Sequence, residues 1–126
     1  QGDMIELLVG QEIKSTQYES LEPLHFWVRD KKGSDAEIDY LLNFNGKLIP
    51  VEVKSGKIGK LKSLLMYMDL TPHTMAVRVY GGKLSIDTVT TPKGKEFKLL
   101  NLPYFLSFKM YEYLGWFENY IQKEVK

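Results

Sequence analysis

Asp39 and the run Glu52-Val53-Lys54 place two carboxylates and an ammonium on consecutive strand-like segments joined by Asn45-Gly46. Residues 36–44 and 47–54 have strand composition, and Asn-Gly is the favoured pair for a two-residue type I′ hairpin turn. Such a turn fixes the register: Phe44 faces Lys47, Tyr40 faces Val51, Asp39 faces Glu52 and Glu37 faces Lys54. Side chains alternate across a strand, so Glu37, Asp39, Glu52 and Lys54 share one face. Ile38, Tyr40, Leu42, Phe44, Ile49, Val51 and Val53 share the other, which is wholly apolar. Counting from the turn makes 39:52 a non-hydrogen-bonded pair, with Cβ atoms about 4.5–5.5 Å apart. Two acids that close repel each other, and a divalent cation between them converts the repulsion into a binding site. The competing reading is a solvated sheet face. Against it stand the depletion of Asp in strands, the succession Asp35, Glu37, Asp39, and the placing of Lys54 on the face of the acids.

The pattern extends beyond this hairpin. Glu6-Leu-Leu-Val9-Gly-Gln11-Glu12-Ile13 has helical spacing, His25-Phe-Trp27-Val-Arg29 reads as an aromatic strand, and Asp35-Ala-Glu37-Ile-Asp39 then precedes Ile49-Pro50-Val51-Glu52-Val53-Lys54-Ser55-Gly56. Asp39 followed by Glu52-Val53-Lys54 resembles the signature of the PD-(D/E)XK nuclease superfamily. The order of motifs over residues 2–80 resembles, within it, a domain of largely unassigned function found C-terminal to AAA-type ATPase domains of bacteria and archaea. Trp27-Val28-Arg29 replaces the contiguous Trp-Arg of that pattern, so no role is carried to Arg29.

The resemblance implies a Mg²⁺- or Mn²⁺-dependent nuclease that hydrolyses phosphodiester bonds, with Asp39, Glu52 and Lys54 catalytic. It implies Asp39, Glu52, the Val53 carbonyl and Glu6 as metal ligands, Gln11 as a substrate-orienting group, and an ATPase portion N-terminal to this domain. Glu6 stands between Ile5 and Leu7, where an unpaired buried charge is costly; pointing outward is its other option. Magnesium suits such a set because it takes oxygen ligands and keeps several waters. Lys54 is placed to hold or deprotonate an attacking water and to stabilise developing charge. Glu37 either orients Lys54 or competes for it. Lys57, Lys60 and Lys62 follow into the start of a helix, where the helix dipole disfavours cations; they read either as a solvated helix face or as contacts for a phosphate backbone, DNA first. A non-catalytic nucleic-acid- or protein-binding module of the same fold is the alternative.

The elements that must position these groups read as α-β-β-β-α-β with an extension. The expected fold is α/β: a restriction-endonuclease-like core with a mixed sheet, an extra hairpin and a C-terminal helix. Helices are expected over residues 4–15, 59–70 and 104–122, the first two covering the hairpin's apolar face. Strands are expected over 24–30, 36–44, 47–54, 74–80 and 83–90, the last two forming a hairpin across Gly81-Gly82. Residues 92–103 read as a polar loop holding a short extended piece at 97–100. Pro50 removes a ladder donor on the side away from the second strand, so the next strand should not pair there, or a bulge should intervene. Asp87 is expected at the surface, and neither His25 nor His73 as a ligand.

A chain of 126 residues, 44% hydrophobic and 13% aromatic, suits one globular core. A net charge of +1 announces no whole-chain attraction to nucleic acid, and the lack of cysteine removes thiolate and disulfide chemistry. No apolar run is long enough to span a membrane, so a cytoplasmic location is the default. The start at Gln1-Gly2-Asp3 reads as part of a longer protein. Residues 1–102 are expected to form the nuclease-like domain, and 103–126 an aromatic helix packed on it or on a partner. Half of the chain's Phe, Tyr and Trp residues lie between Tyr104 and Tyr120, more than one core-facing stripe needs, and a homodimer through this helix is one use for them.

Overall fold

The computed structural model describes residues 25–28, 37–54 and 61–125. The elements are β1 (His25–Val28), β2 (Glu37–Phe44), β3 (Lys47–Val53), α1 (Lys62–Leu70), β4 (Met75–Tyr80), β5 (Ser85–Thr90), β6 (Glu96–Pro103), a 3-10 helix (Tyr104–Lys109) and α2 (Met110–Val125). The strands form one six-stranded mixed sheet in the order β1-β2-β3-β4-β6-β5. The fold is α/β, and its described part follows the expected β-β-β-α-β succession. The expected helix over 4–15 lies outside the described residues.

The first hairpin is built as the Asn-Gly pair dictates. Asn45 has φ 51° and Gly46 φ 80°, the left-handed pair of a type I′ turn. The register it sets runs from Phe44↔Lys47 to Tyr40↔Val51. β3 then pairs β4 in parallel only over Val51↔Val77 to Val53↔Val79, starting one residue past Pro50, whose missing N–H leaves nothing to donate earlier.

The second expected hairpin does not form. β4 and β5 are not neighbours: β4 lies between β3 and β6, parallel to both, while β5 is an edge strand antiparallel to β6. Burial explains it. Met75–Val79 is buried at every position, as in a central parallel strand, and both edges of such a strand are occupied. β5 instead is exposed at four of its six positions, with only Ile86 and Val89 half-buried. Gly82 serves a close approach, because a Cβ there would meet the Tyr80 ring at 2.6 Å. The segment expected as a polar loop is β6, eight residues long and nearly all buried. The β5–β6 hairpin turns across 91–95, closed by Thr91 N–H to Lys95 O at 2.8 Å and by Gly94 at φ 92°.

Two cores flank the sheet. On one face Tyr40, Leu42, Ile49, Val51, Val53, Val77, Val79, Leu100 and Leu102 pack with Met110, Leu114 and Phe117 of α2. On the other, Leu64 and Met68 of α1 pack on Ala76, Phe97 and Leu99. The C-terminal helix therefore packs on the apolar face of the first hairpin, and α1, expected there, takes the opposite face. Two clasps hold α2 down. Glu118 accepts from Asn45 Nδ2 at 3.0 Å and Lys47 Nζ at 2.8 Å, and Lys98 Nζ meets Glu124 at 2.8 Å. Lys47 holds the Glu118 carboxyl below the usual carboxylate range. Phe105, Phe108, Trp116 and Tyr120 remain exposed on the outer side of the 3-10 helix and α2. No helix among the described residues is long and apolar enough to cross a membrane.

Candidate functional site

Asp39 sits where the sheet becomes irregular. Between β1 and β2 the partners step from His25↔Leu41 to Trp27↔Ile38, so β2 advances one residue more than β1 and bulges around Asp39. The β2–β3 ladder ends at Tyr40↔Val51, one pair short of the expected Asp39–Glu52 partnership. Past that point Asp39 Oδ2 accepts the Val53 N–H at 2.7 Å. The carboxylate thus takes the place of a strand carbonyl and is tied to the backbone between Glu52 and Lys54. Such charge-assisted bonds are short and strong, and this one fixes the acid against the Glu52-Val53-Lys54 strand.

Glu52 alternates with Val51 and Val53, which face α2, so its side chain lies on the α1 face. It is buried, with 8% of its surface exposed, and its Oε2 lies 3.6 Å from Lys54 Nζ. The Lys54 N–H donates to Val79 O at 2.8 Å, continuing the parallel pairing with β4. The expected trio is thus gathered at the carboxyl end of β3, with Lys54 beside Glu52 and Asp39 bonded to the intervening residue. Crossing from β3 to the parallel β4 requires the chain to return, so α1 begins on the side where β3 ends. Lys62 stands exposed in its first turn, which contains no acid, and Leu61 at the N-cap offers no side-chain bond. Glu6, Gln11, Lys57 and Lys60 lie outside the described residues, as does the Glu37 side chain. Among the described residues no three His, Cys, Asp or Glu side chains cluster closely enough to hold a metal ion. Asp39, Glu52 and the Val53 carbonyl offer only oxygen donors, the type taken by an ion that retains much of its water.

The sequence reading missed a second polar group on the same face. Arg78 is in register with Glu52 across β3 and β4, and Asn101 with Arg78 across β4 and β6. Arg78 and Asn101 are buried, 6% and 1% exposed. Arg78 Nε donates to Asn101 Oδ1 at 2.8 Å, and Asn101 Nδ2 donates to Asp87 Oδ2 at 2.9 Å and to Ser85 Oγ at 3.0 Å. Asp87 is exposed as expected, yet its Oδ2 also lies 3.7 Å from Arg78 Nη2. The signal was a lone Arg inside the apolar run Met75–Tyr80 and a lone Asn inside Leu99–Leu102, each polar residue in a strand otherwise buried.

His73 belongs to the opposite end of the sheet. Its Nδ1 accepts the Met75 N–H at 3.1 Å, so Nε2 carries the proton and donates to Leu48 O at 2.7 Å. The Tyr67 hydroxyl donates to the same carbonyl at 2.9 Å. Burial lowers the His73 pKa, and this bonding requires the neutral ring.

Among curated proteins, nothing matches the chain. A family model described as a domain of unknown function, DUF4143, matches residues 1–105, the stretch that carries the Asp39, Glu52 and Lys54 site and ends just before α2, and the chain belongs to that family.

Proposed function

We propose that this domain is a Mg²⁺-dependent nuclease, the C-terminal part of an ATPase protein, acting on the phosphodiester backbone of DNA. The observation that carries the reading is the gathering of Asp39, Glu52 and Lys54 at one strand end, with Asp39 bonded to the backbone at Val53. Asp39, Glu52 and the Val53 carbonyl, with Glu6, would hold the ion. When bound, the ion polarises the phosphate and makes a water more acidic. Lys54 does the rest with one ammonium. Paired to Glu52 it is oriented, and it can donate to the attacking water or to the phosphoryl oxygen on which charge develops. Buried Glu52 draws the ammonium in, so the group is placed before substrate arrives. An arginine at 54 would keep the charge but lose the compact head and the tunable proton.

The test is cleavage of single- and double-stranded DNA with Mg²⁺ or Mn²⁺. Activity should vanish in Glu52→Ala and in Lys54→Ala while far-UV circular dichroism is unchanged. Cleavage that survives EDTA, or survives in both variants, would remove the site from consideration.

One observation favours a second reading, a binding module that serves the ATPase without cleaving. Phe105, Phe108, Trp116 and Tyr120 expose aromatic area at the end of the chain, which suits a protein partner.

A further inference from the structure

The α1 face of the sheet changes character along the strands. Near their starts, Ala76, Phe97 and Leu99 are apolar and lie under Leu64 and Met68 of α1. Two residues further along the same face come Arg78 and Asn101, with Glu52 alongside on β3. Crevices outside the carboxyl ends of parallel strands are where α/β sheets bind ligands. A guanidinium placed in such a face, rather than another valine, calls for an explanation.

Its own bonds supply one. Arg78 has five N–H donors in a rigid fork. Nε is spent on Asn101 at 2.8 Å, while the contact of Nη2 with Asp87 is a long 3.7 Å. Nη1 has no partner among the described residues. The fork is also braced from below: its central carbon lies 5.3 Å from the centroid of the Tyr80 ring, and the Tyr80 hydroxyl donates to Lys83 O at 2.7 Å. Gly82 leaves room for that ring, since any Cβ there would strike it. Asn101 in turn is held by Ser85 and Asp87. The outcome is a cation whose direction is set by four other residues while part of its donor capacity stays unspent. A bidentate fork fixed in this way matches phosphate oxygens.

From this we infer that Arg78 binds a backbone phosphate of the nucleic acid next to the one at Glu52 and Lys54, with Asn101 as its positioning residue and Asp87 as its counter-ion in the free protein. The inference rests on the nucleic-acid reading above but not on cleavage. Asp87 shields the guanidinium in the free protein and competes with the phosphate for it. Binding at Arg78 contacts the backbone rather than the bases, so it adds affinity without sequence preference.

The experiment is fluorescence anisotropy of the whole 126-residue chain with a labelled duplex DNA in EDTA across a salt series. Arg78→Gln retains a donor for Asn101, and Arg78→Lys retains the charge without the fork. Both should bind about tenfold more weakly, and Arg78→Gln should flatten the slope of log affinity against log salt by about one. Asp87→Asn, at an exposed position, should bind several-fold more tightly, and that gain should disappear in the Asp87→Asn, Arg78→Gln double variant. Wild-type affinity and slope in folded Arg78→Gln, or an Asp87→Asn gain that persists in the double variant, would overturn the inference and leave the nuclease reading standing. DNA binding with these changes but no cleavage would uphold the inference and remove the nuclease reading. A wild-type chain that binds no DNA would overturn both.

Discussion

Replacing Asp39 by Ala removes the acceptor of the Val53 N–H, and the geometry allows the cost to be worked out. A hydrogen bond with a charged partner contributes about 1.5–3 kcal/mol, and this one is 2.7 Å long. Repulsion from Glu52 acts in the opposite direction, and sequence alone would make it dominant. In the fold, however, Glu52 is compensated by Lys54 at 3.6 Å, so Asp39 feels a nearly neutral pair, and the relief on its removal is below about 1 kcal/mol. The bond wins. Asp39→Ala should destabilise the chain by about 1–2 kcal/mol in urea unfolding, with the midpoint lowered and the slope unchanged. Asp39→Asn keeps a carbonyl oxygen at the same place and loses only the charge, so it should cost less than about 1 kcal/mol. If both variants nonetheless lose cleavage entirely, the acid has a role its hydrogen bond does not supply. A stability of Asp39→Ala equal to or above wild type would refute the reasoning, because repulsion from Glu52 would then outweigh the bond.

Three further outcomes are expected. Phe117→Ala should cost about 3–5 kcal/mol by urea unfolding, since its ring is fully buried between α2 and the sheet; a helix that served only a partner would lose almost nothing. Burial keeps the His73 pKa in the fold below the 6.5 of the unfolded chain, so its contribution to stability is whole above that pH and is lost as pH falls through the folded value. Melting temperatures from pH 8 to 5 should fall below about pH 6.5, and less steeply in His73→Gln than in wild type. Glu118 shows the same sign further down the scale: its lowered pKa means that the clasp to Lys47 weakens only as pH falls below the 4.5 of an ordinary Glu, which a parallel titration of Glu118→Gln would reveal.

The hairpin was legible because its information is local. Asn45-Gly46 dictates a turn, the turn dictates register, and Pro50 dictates where the third partner starts. The order of the later strands was not legible, since nothing local says whether two successive strands pair or part. Gly81-Gly82 carries the composition of a tight turn, yet one of those glycines instead leaves room for the Tyr80 ring. The better clue was the strand before it. A run buried on both faces, such as Met75–Val79, belongs in the middle of a sheet, and the half-exposed pattern of Ser85–Thr90 belongs at an edge. The helix over α1 was legible from its Leu64 and Met68 spacing, but which face it covers depends on the handed crossover from β3 to β4.

The same distinction divides the site. Glu52 and Lys54 are two residues apart on one strand, so alternation alone puts them together. Arg78 and Asn101 join them only after β3, β4 and β6 are known to be parallel neighbours, which no spacing in the chain reveals. What the sequence does show is that each of these buried strands carries one polar residue in an apolar run. Burial of each would cost a few kcal/mol without partners, so three such exceptions in three strands ask to be satisfied together. The parallel register aligns them in a row, Glu52 beside Arg78 beside Asn101, in which Arg78 bonds to Asn101 and Glu52 pairs with Lys54. Had one strand slipped by a residue, its polar group would have turned into the core under α2, among Leu114 and Phe117. Hence the row both selects the register and gathers the charges at one end of the sheet. A lone polar residue in each of several buried strands is thus a signal of a site even before the strand order is known.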